Sequence, residues 1–117
     1  MKARELMVGN YVYSLGTNEV QKTTGITEES PFIDTITFDY LSYEEIEPVP
    51  LTEEYLFKFG FTYNEKTECY HYYDFILNKS FVMQNIDIHV CLKHVHQLQN
   101  LYFALTGEEL TIKKLLL

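Results

Sequence analysis

Residues 93–107 read Lys93-His94-Val95-His96-Gln97-Leu98-Gln99-Asn100-Leu101-Tyr102-Phe103-Ala104-Leu105-Thr106-Gly107. Placed at about 100° per residue, Val95, Leu98, Leu101, Tyr102 and Leu105 fall on one broad apolar stripe. Gln97, Gln99 and Asn100 spread over the remaining surface, and Thr106-Gly107 supplies a stop. The pattern predicts an amphipathic helix laid along a β layer. If the helix reaches His94, its ring continues the Leu98, Leu101, Leu105 row. His96 then lies about 200° further round, so that the two imidazoles point apart.

Outward from this segment, a second helix is announced by local signals. In Leu51-Thr52-Glu53-Glu54-Tyr55-Leu56-Phe57-Lys58-Phe59-Gly60-Phe61, Thr52 is a cap and Glu53 and Glu54 occupy the first turn, where the helix dipole favours anions. Leu51 and Leu56 stand at the two positions of a hydrophobic staple, and Gly60 offers the left-handed stop with Phe61 folding back on Leu56.

The remaining chain reads as short strands. Tyr11-Val12-Tyr13 enters a tight turn at Leu15-Gly16-Thr17-Asn18, Glu19–Thr24 returns, and Gly25 marks a bulge or bend. The β-branched and aromatic run Phe32–Tyr40 follows. Glu45–Pro48 reads as an edge strand, because proline cannot donate to a central ladder. Beyond the short helix, Cys69–Tyr73, Phe75–Leu77, Phe81–Gln84 and Ile86–Leu92 are strand-like, with turns at Asn78-Lys79 and Gln84-Asn85. In the last run Ile86, Ile88, Val90 and Leu92 form the core side. The fold class is α+β. A small, bent, SH3-like antiparallel lobe at the N-terminus is followed by a short helix, further antiparallel strands and the amphipathic helix on the sheet. At 117 residues and 46% hydrophobic content this is one domain, residues 1–117, with sub-lobes 1–50 (β-rich) and 51–117 (α+β).

Nine basic against seventeen acidic residues give a formal charge of −8, whose field repels phosphate backbones and acidic membranes. Neither a nucleic acid nor a membrane is an expected partner. No apolar run approaches the roughly 18 residues of a membrane span, Met1–Glu5 has no secretion-signal character, and a cytoplasmic location is expected. Cys69 and Cys91 are expected to be free thiols.

The motifs "LMVGNYV", "PVPLTEEYLFKFGF" and "VHQLQNLYFALTGEEL" resemble a family of small proteins encoded in Bacteroidetes genomes, their phages and mobile elements. The likeness spans about half of the chain and is most specific in the helical block. It implies an accessory gene product of viral or mobile-element origin in a bacterial cytoplasm, and it brings no cofactor and no catalytic residue.

Four potential ligands, His89, Cys91, His94 and His96, fall within eight residues, with Cys69 and His71 upstream. Zinc needs three or four such groups converging at about 2.0–2.3 Å. The spacing fits no standard zinc motif and the helical pair is expected to diverge, so no metal, cofactor or catalytic residue is assigned. Cys91 with His89 or His94 as a nucleophile pair lacks an electropositive pocket in this acidic chain. The glutamate pairs read as solvated turns, and no glycine-rich phosphate loop is present.

Ten tyrosines and eight phenylalanines without tryptophan are the unusual feature. A stacking surface for single strands would need a basic groove. Tyr11, Tyr13, Tyr70, Tyr72 and Tyr73 are instead candidate anchors for a protein partner or for self-association, although most tyrosines in so small a core fill it with the hydroxyl at its edge. The leading expectation is a non-enzymatic interaction domain, an inhibitor or modulator of a host protein being one form. The alternatives are a small-molecule or metal site in a cleft between the sub-lobes and acidic mimicry of DNA.

Overall fold

The computed structural model describes residues 6–15, 18–26, 31–33, 46–84 and 90–113. Its strands are β1 (Tyr11–Ser14), β2 (Glu19–Ile26), β3 (Pro31–Ile33), β4 (Ile46–Pro48), β5 (Thr62–Asn64), β6 (Cys69–Tyr72) and β7 (Phe75–Leu77), and its helices are α1 (Glu53–Phe59) and α2 (Val95–Thr106). The fold is α+β. The chain divides into two compact units, one made of Met1–Pro50 with His94–Glu109, the other of Leu51–Lys93 with Leu110–Leu117. The sequence-based division also falls at residue 50, but it leaves α2 with residues 51–117. The helix belongs with the first unit.

In the first unit four antiparallel strands lie in the order β3-β2-β1-β4. Tyr11, Val12, Tyr13 and Ser14 pair with Lys22, Gln21, Val20 and Glu19, and Val12, Tyr13 and Ser14 pair on the other side with Pro48, Glu47 and Ile46. Pro48 therefore sits in an edge strand, where its missing N–H costs no ladder bond. The register of β2 on β3 shifts between Thr23 and Gly25, which is the bulge expected at that glycine. Of the expected strand Phe32–Tyr40, only Phe32 and Ile33 lie within the described residues. Along β1 the side chains alternate, with Val12 and Ser14 buried and Tyr11 and Tyr13 half-buried.

The helix α2 meets β1 through a polar contact that its apolar pattern does not show. Val95, His96, Leu98, Gln99 and Tyr102 are its buried residues, while Leu105 is 55% exposed. On a helical wheel the buried stripe is turned about 60° from the expected one, towards Gln99. The reason is hydrogen bonding. Gln99 Oε1 accepts from the Tyr11 N–H at 2.9 Å, and its Nε2 donates to the Gly9 carbonyl at 3.0 Å. Asn10 Nδ2 donates to Asn100 Oδ1 at 2.9 Å. These partners satisfy main-chain groups where the β1 ladder begins.

In the second unit α1 has the caps its sequence announces. Thr52 is extended and its side chain accepts from Tyr55 N; Gly60 is left-handed at φ 104°. The N–H of Gly60 donates to Phe57 O and that of Phe61 to Leu56 O, the paired bonds of a Schellman stop. Lys58 and Glu54 pair one turn apart at 3.3 Å. The sheet order is β5-β6-β7, all antiparallel. Asn64 Oδ1 accepts from Lys66 N and Thr67 N in the β5–β6 turn, and Asn78 Oδ1 accepts from Ser80 N and Val82 N beyond β7. Both asparagines substitute for a backbone acceptor in a tight turn. In the expected strand Ile86–Leu92, residues 86–89 lie outside the described ones. Isolated bridges Leu77 to Met83 and Val82 to Cys91 continue the pairing, with Leu92 buried and Cys91 exposed.

Candidate functional site

The histidine and cysteine residues fall into separate surroundings. His89 lies outside the described residues. Cys91 is exposed, with Sγ 3.6 Å from the Ser80 carbonyl, in the second unit; His94 and His96 belong to the first. The expectation that the two imidazoles diverge is overturned. Their ring centroids are 5.7 Å apart with planes at 13°. His94 is the extended N-cap of α2 (φ −130°, ψ 152°), so helical spacing does not govern it, and Gln97 Oε1 accepts from its N–H at 3.0 Å. Among the described residues no three His, Cys, Asp or Glu side chains gather as a metal ion requires.

A different His contact appears in the β5–β6 hairpin. His71 Nε2 lies 2.8 Å from Thr67 Oγ1, and Cys69 Sγ lies 3.3 Å from the Thr67 carbonyl. The hydroxyl and imidazole are within reach of each other, but Thr67 is exposed in the turn, where water screens any activation of its hydroxyl, while the half-buried His71 belongs to β6. Sequence reading passed over this pair, because a Thr four residues from a His carries no signal until a hairpin brings them together.

The five candidate tyrosines separate by exposure. Tyr70 is only 5% exposed and is not a surface anchor. Its hydroxyl donates to Glu53 Oε2, linking β6 to the first turn of α1, and its ring meets Phe57, Tyr63 and Phe81 at centroid distances of 6.0, 5.1 and 6.1 Å. The hydrogen bond to the Glu53 carboxylate, then burial, pushes the Tyr70 phenol up to about 12. Beside this cluster the Tyr63 hydroxyl holds Lys79 above its ordinary value. Tyr72 packs on Phe61 at 5.2 Å, with Lys113 Nζ 5.9 Å from its centroid. Tyr73 stands at the β6–β7 turn with φ 51° and is 83% exposed, its ring edge-on to Tyr72.

Tyr11 and Tyr13 form a row of another kind. Val12 and Ser14 take the buried side of β1, so the odd-numbered side chains point the other way. Leu15, in the turn just past β1, is 44% exposed, and Val20, directly opposite Tyr13, is 36% exposed. On the other flank Tyr13 faces the exposed Glu47 of β4. The outer side of the sheet thus carries Tyr11, Tyr13 and Val20 beside a carboxylate, with the exposed Leu15 at the end of β1. Residue type, tyrosine as an interface anchor, singles out Tyr11 and Tyr13 in the sequence. Val20 joins them only through the β1–β2 register, which sets it across from Tyr13.

No family model matches the chain, and neither a curated protein nor a solved structure does. The SH3-like description of the first lobe therefore has no solved relative to rest on, and the fold is stated as α+β. No helix among the described residues is long and apolar enough to cross a membrane.

Proposed function

We propose that this chain is a non-enzymatic protein-interaction domain that binds another protein through the outer side of its first sheet. The observation that carries this reading is Tyr11 and Tyr13 on β1 with Val20 across from Tyr13 and the exposed Leu15 just past the strand's end, on a strand whose other side is buried. Tyrosines on a strand are rigid, present large apolar area and keep a polar tip, which suits them to the centre of an interface. Tyr72 and Tyr73 form a second, smaller aromatic projection, less suited because a single hairpin tip covers little area. In this reading the protein works in a bacterial cytoplasm as an accessory product of phage or mobile-element origin that modulates a host protein.

The test places a photo-crosslinking phenylalanine analogue at position 13, and separately at position 73, in the full chain irradiated in lysate of the source organism. A discrete adduct from position 13 that Val20→Asp abolishes supports the reading. An adduct from position 73 alone, or one formed only with a second copy of the chain, overturns it.

A further inference from the structure

We infer that the partner presents a cationic, arginine- or lysine-rich protein surface to the Tyr11, Tyr13, Leu15 and Val20 face; this rests on the interaction reading above and adds the chemistry of the partner. The first observation is how charge divides between the two units. Residues 1–50 and 94–109 hold three basic and eleven acidic side chains, so the first unit carries the whole net −8. Residues 51–93 and 110–117 hold six of each and are neutral. A unit of this size with eight uncompensated negative charges attracts cations and repels phosphate-bearing partners over about a Debye length, roughly 8 Å at physiological salt.

The second observation lies on the face itself. Among the described residues, the cation in register on this face is Lys22, opposite Tyr11, and its ammonium lies 3.0 Å from Glu109 Oε1. Glu47, in register with Tyr13, is exposed on the opposite flank. A tyrosine ring next to a carboxylate is the pairing that a guanidinium satisfies twice, by stacking on the ring and by charge-assisted hydrogen bonds to the oxygens. Depletion of negative charge on the partner follows, since a carboxylate set against this face would meet like charge from the whole unit.

The test uses short peptides of constant apolar content whose charged positions are all Arg, all Lys or all Glu, titrated into the fluorescently labelled full chain and read by anisotropy. The Arg and Lys peptides bind at least about tenfold more tightly than the Glu peptide, and raising salt from about 0.05 M to about 0.5 M weakens them about tenfold. Tyr13→Ala and Glu47→Lys each weaken Arg-peptide binding about tenfold, Tyr13→Phe keeps most of it, and Tyr73→Ala in the neutral unit leaves it unchanged. Circular dichroism of each variant confirms that it is folded. Equal binding of the Glu peptide, or Arg-peptide binding indifferent to Tyr13→Ala, overturns the inference. An acidic protein crosslinked at position 13 overturns the cationic partner and keeps the interaction reading; absence of both adduct and peptide binding removes both.

Discussion

Gln99 performs a task in the first unit that an apolar residue cannot. Its side-chain amide is the partner of the Tyr11 N–H and the Gly9 carbonyl, both at the entry to β1. Replacing it with leucine keeps the volume and leaves two backbone groups without their partner, each costing about 1–3 kcal/mol. Gln99→Leu is therefore expected to lower stability by about 2–4 kcal/mol in urea unfolding, although leucine is the better helix former; a loss under about 1 kcal/mol would mean these groups find another partner. Tyr70 is the corresponding residue of the second unit. Tyr70→Phe removes the hydroxyl that binds Glu53 and is expected to cost about 1 kcal/mol at pH 8. The phenol is raised from 10.0 to about 12, so the folded chain holds the neutral form more tightly than the unfolded one. That contribution is complete below pH 10 and is lost as pH rises from 10 through 12. The gap between wild type and Tyr70→Phe in urea should accordingly shrink between pH 9 and pH 12, and a gap independent of pH would separate the hydroxyl from the stability.

At the scale of the element, α1 and α2 end on similar glycines in different surroundings. Gly60 has φ 104°, and a Cβ there would lie 3.0 Å from Tyr72 Cε2; Gly107 has φ 75° with open space around it. Gly107→Ala pays for the left-handed backbone alone, about 1 kcal/mol, whereas Gly60→Ala adds strain and a displaced tyrosine ring and should cost about 2–3 kcal/mol in thermal unfolding. Equal losses would show that the Tyr72 ring yields freely. Both stops were legible in the sequence because capping is local: Thr52, Glu53, Glu54, Gly60 and Phe61 act within a few residues of one another. The orientation of α2 was not. Its buried stripe is set by Gly9 and Tyr11, some ninety residues away, and an amide chosen for backbone partners looks in the sequence like a solvated one. β5 was missed for a different reason. Thr62, Tyr63 and Asn64 are too few to show a period, and they form a strand because Cys69, Tyr70 and His71 pair with them. The candidate face was half legible: residue type marked Tyr11 and Tyr13, but it marked Tyr70 equally, whose ring is buried and whose hydroxyl finds its partner in a carboxylate seventeen residues before it.

At the scale of the whole molecule, topology decides where the charge sits. A cut at residue 50 assigns three basic and nine acidic residues to one side and six basic and eight acidic to the other, so both halves look acidic. Returning residues 94–109 to the first unit moves Glu108 and Glu109 with it and leaves the second unit neutral. Self-repulsion should then destabilise only one unit. Raising salt from about 0.01 M to about 0.5 M shortens the Debye length from about 30 Å to about 4 Å, enough to screen repulsion across a unit while the 3.0 Å pair of Lys22 and Glu109 is weakened less. Hydrogen exchange of the amides of β1 and α2 should slow by a factor corresponding to a gain on the order of 1 kcal/mol, with those of α1 and β6 changing much less. Sodium and potassium chloride should act alike, since screening depends on ionic strength. Equal protection gained in both units would instead be the mark of a general strengthening of apolar burial by salt, and the charge asymmetry would then have no energetic consequence.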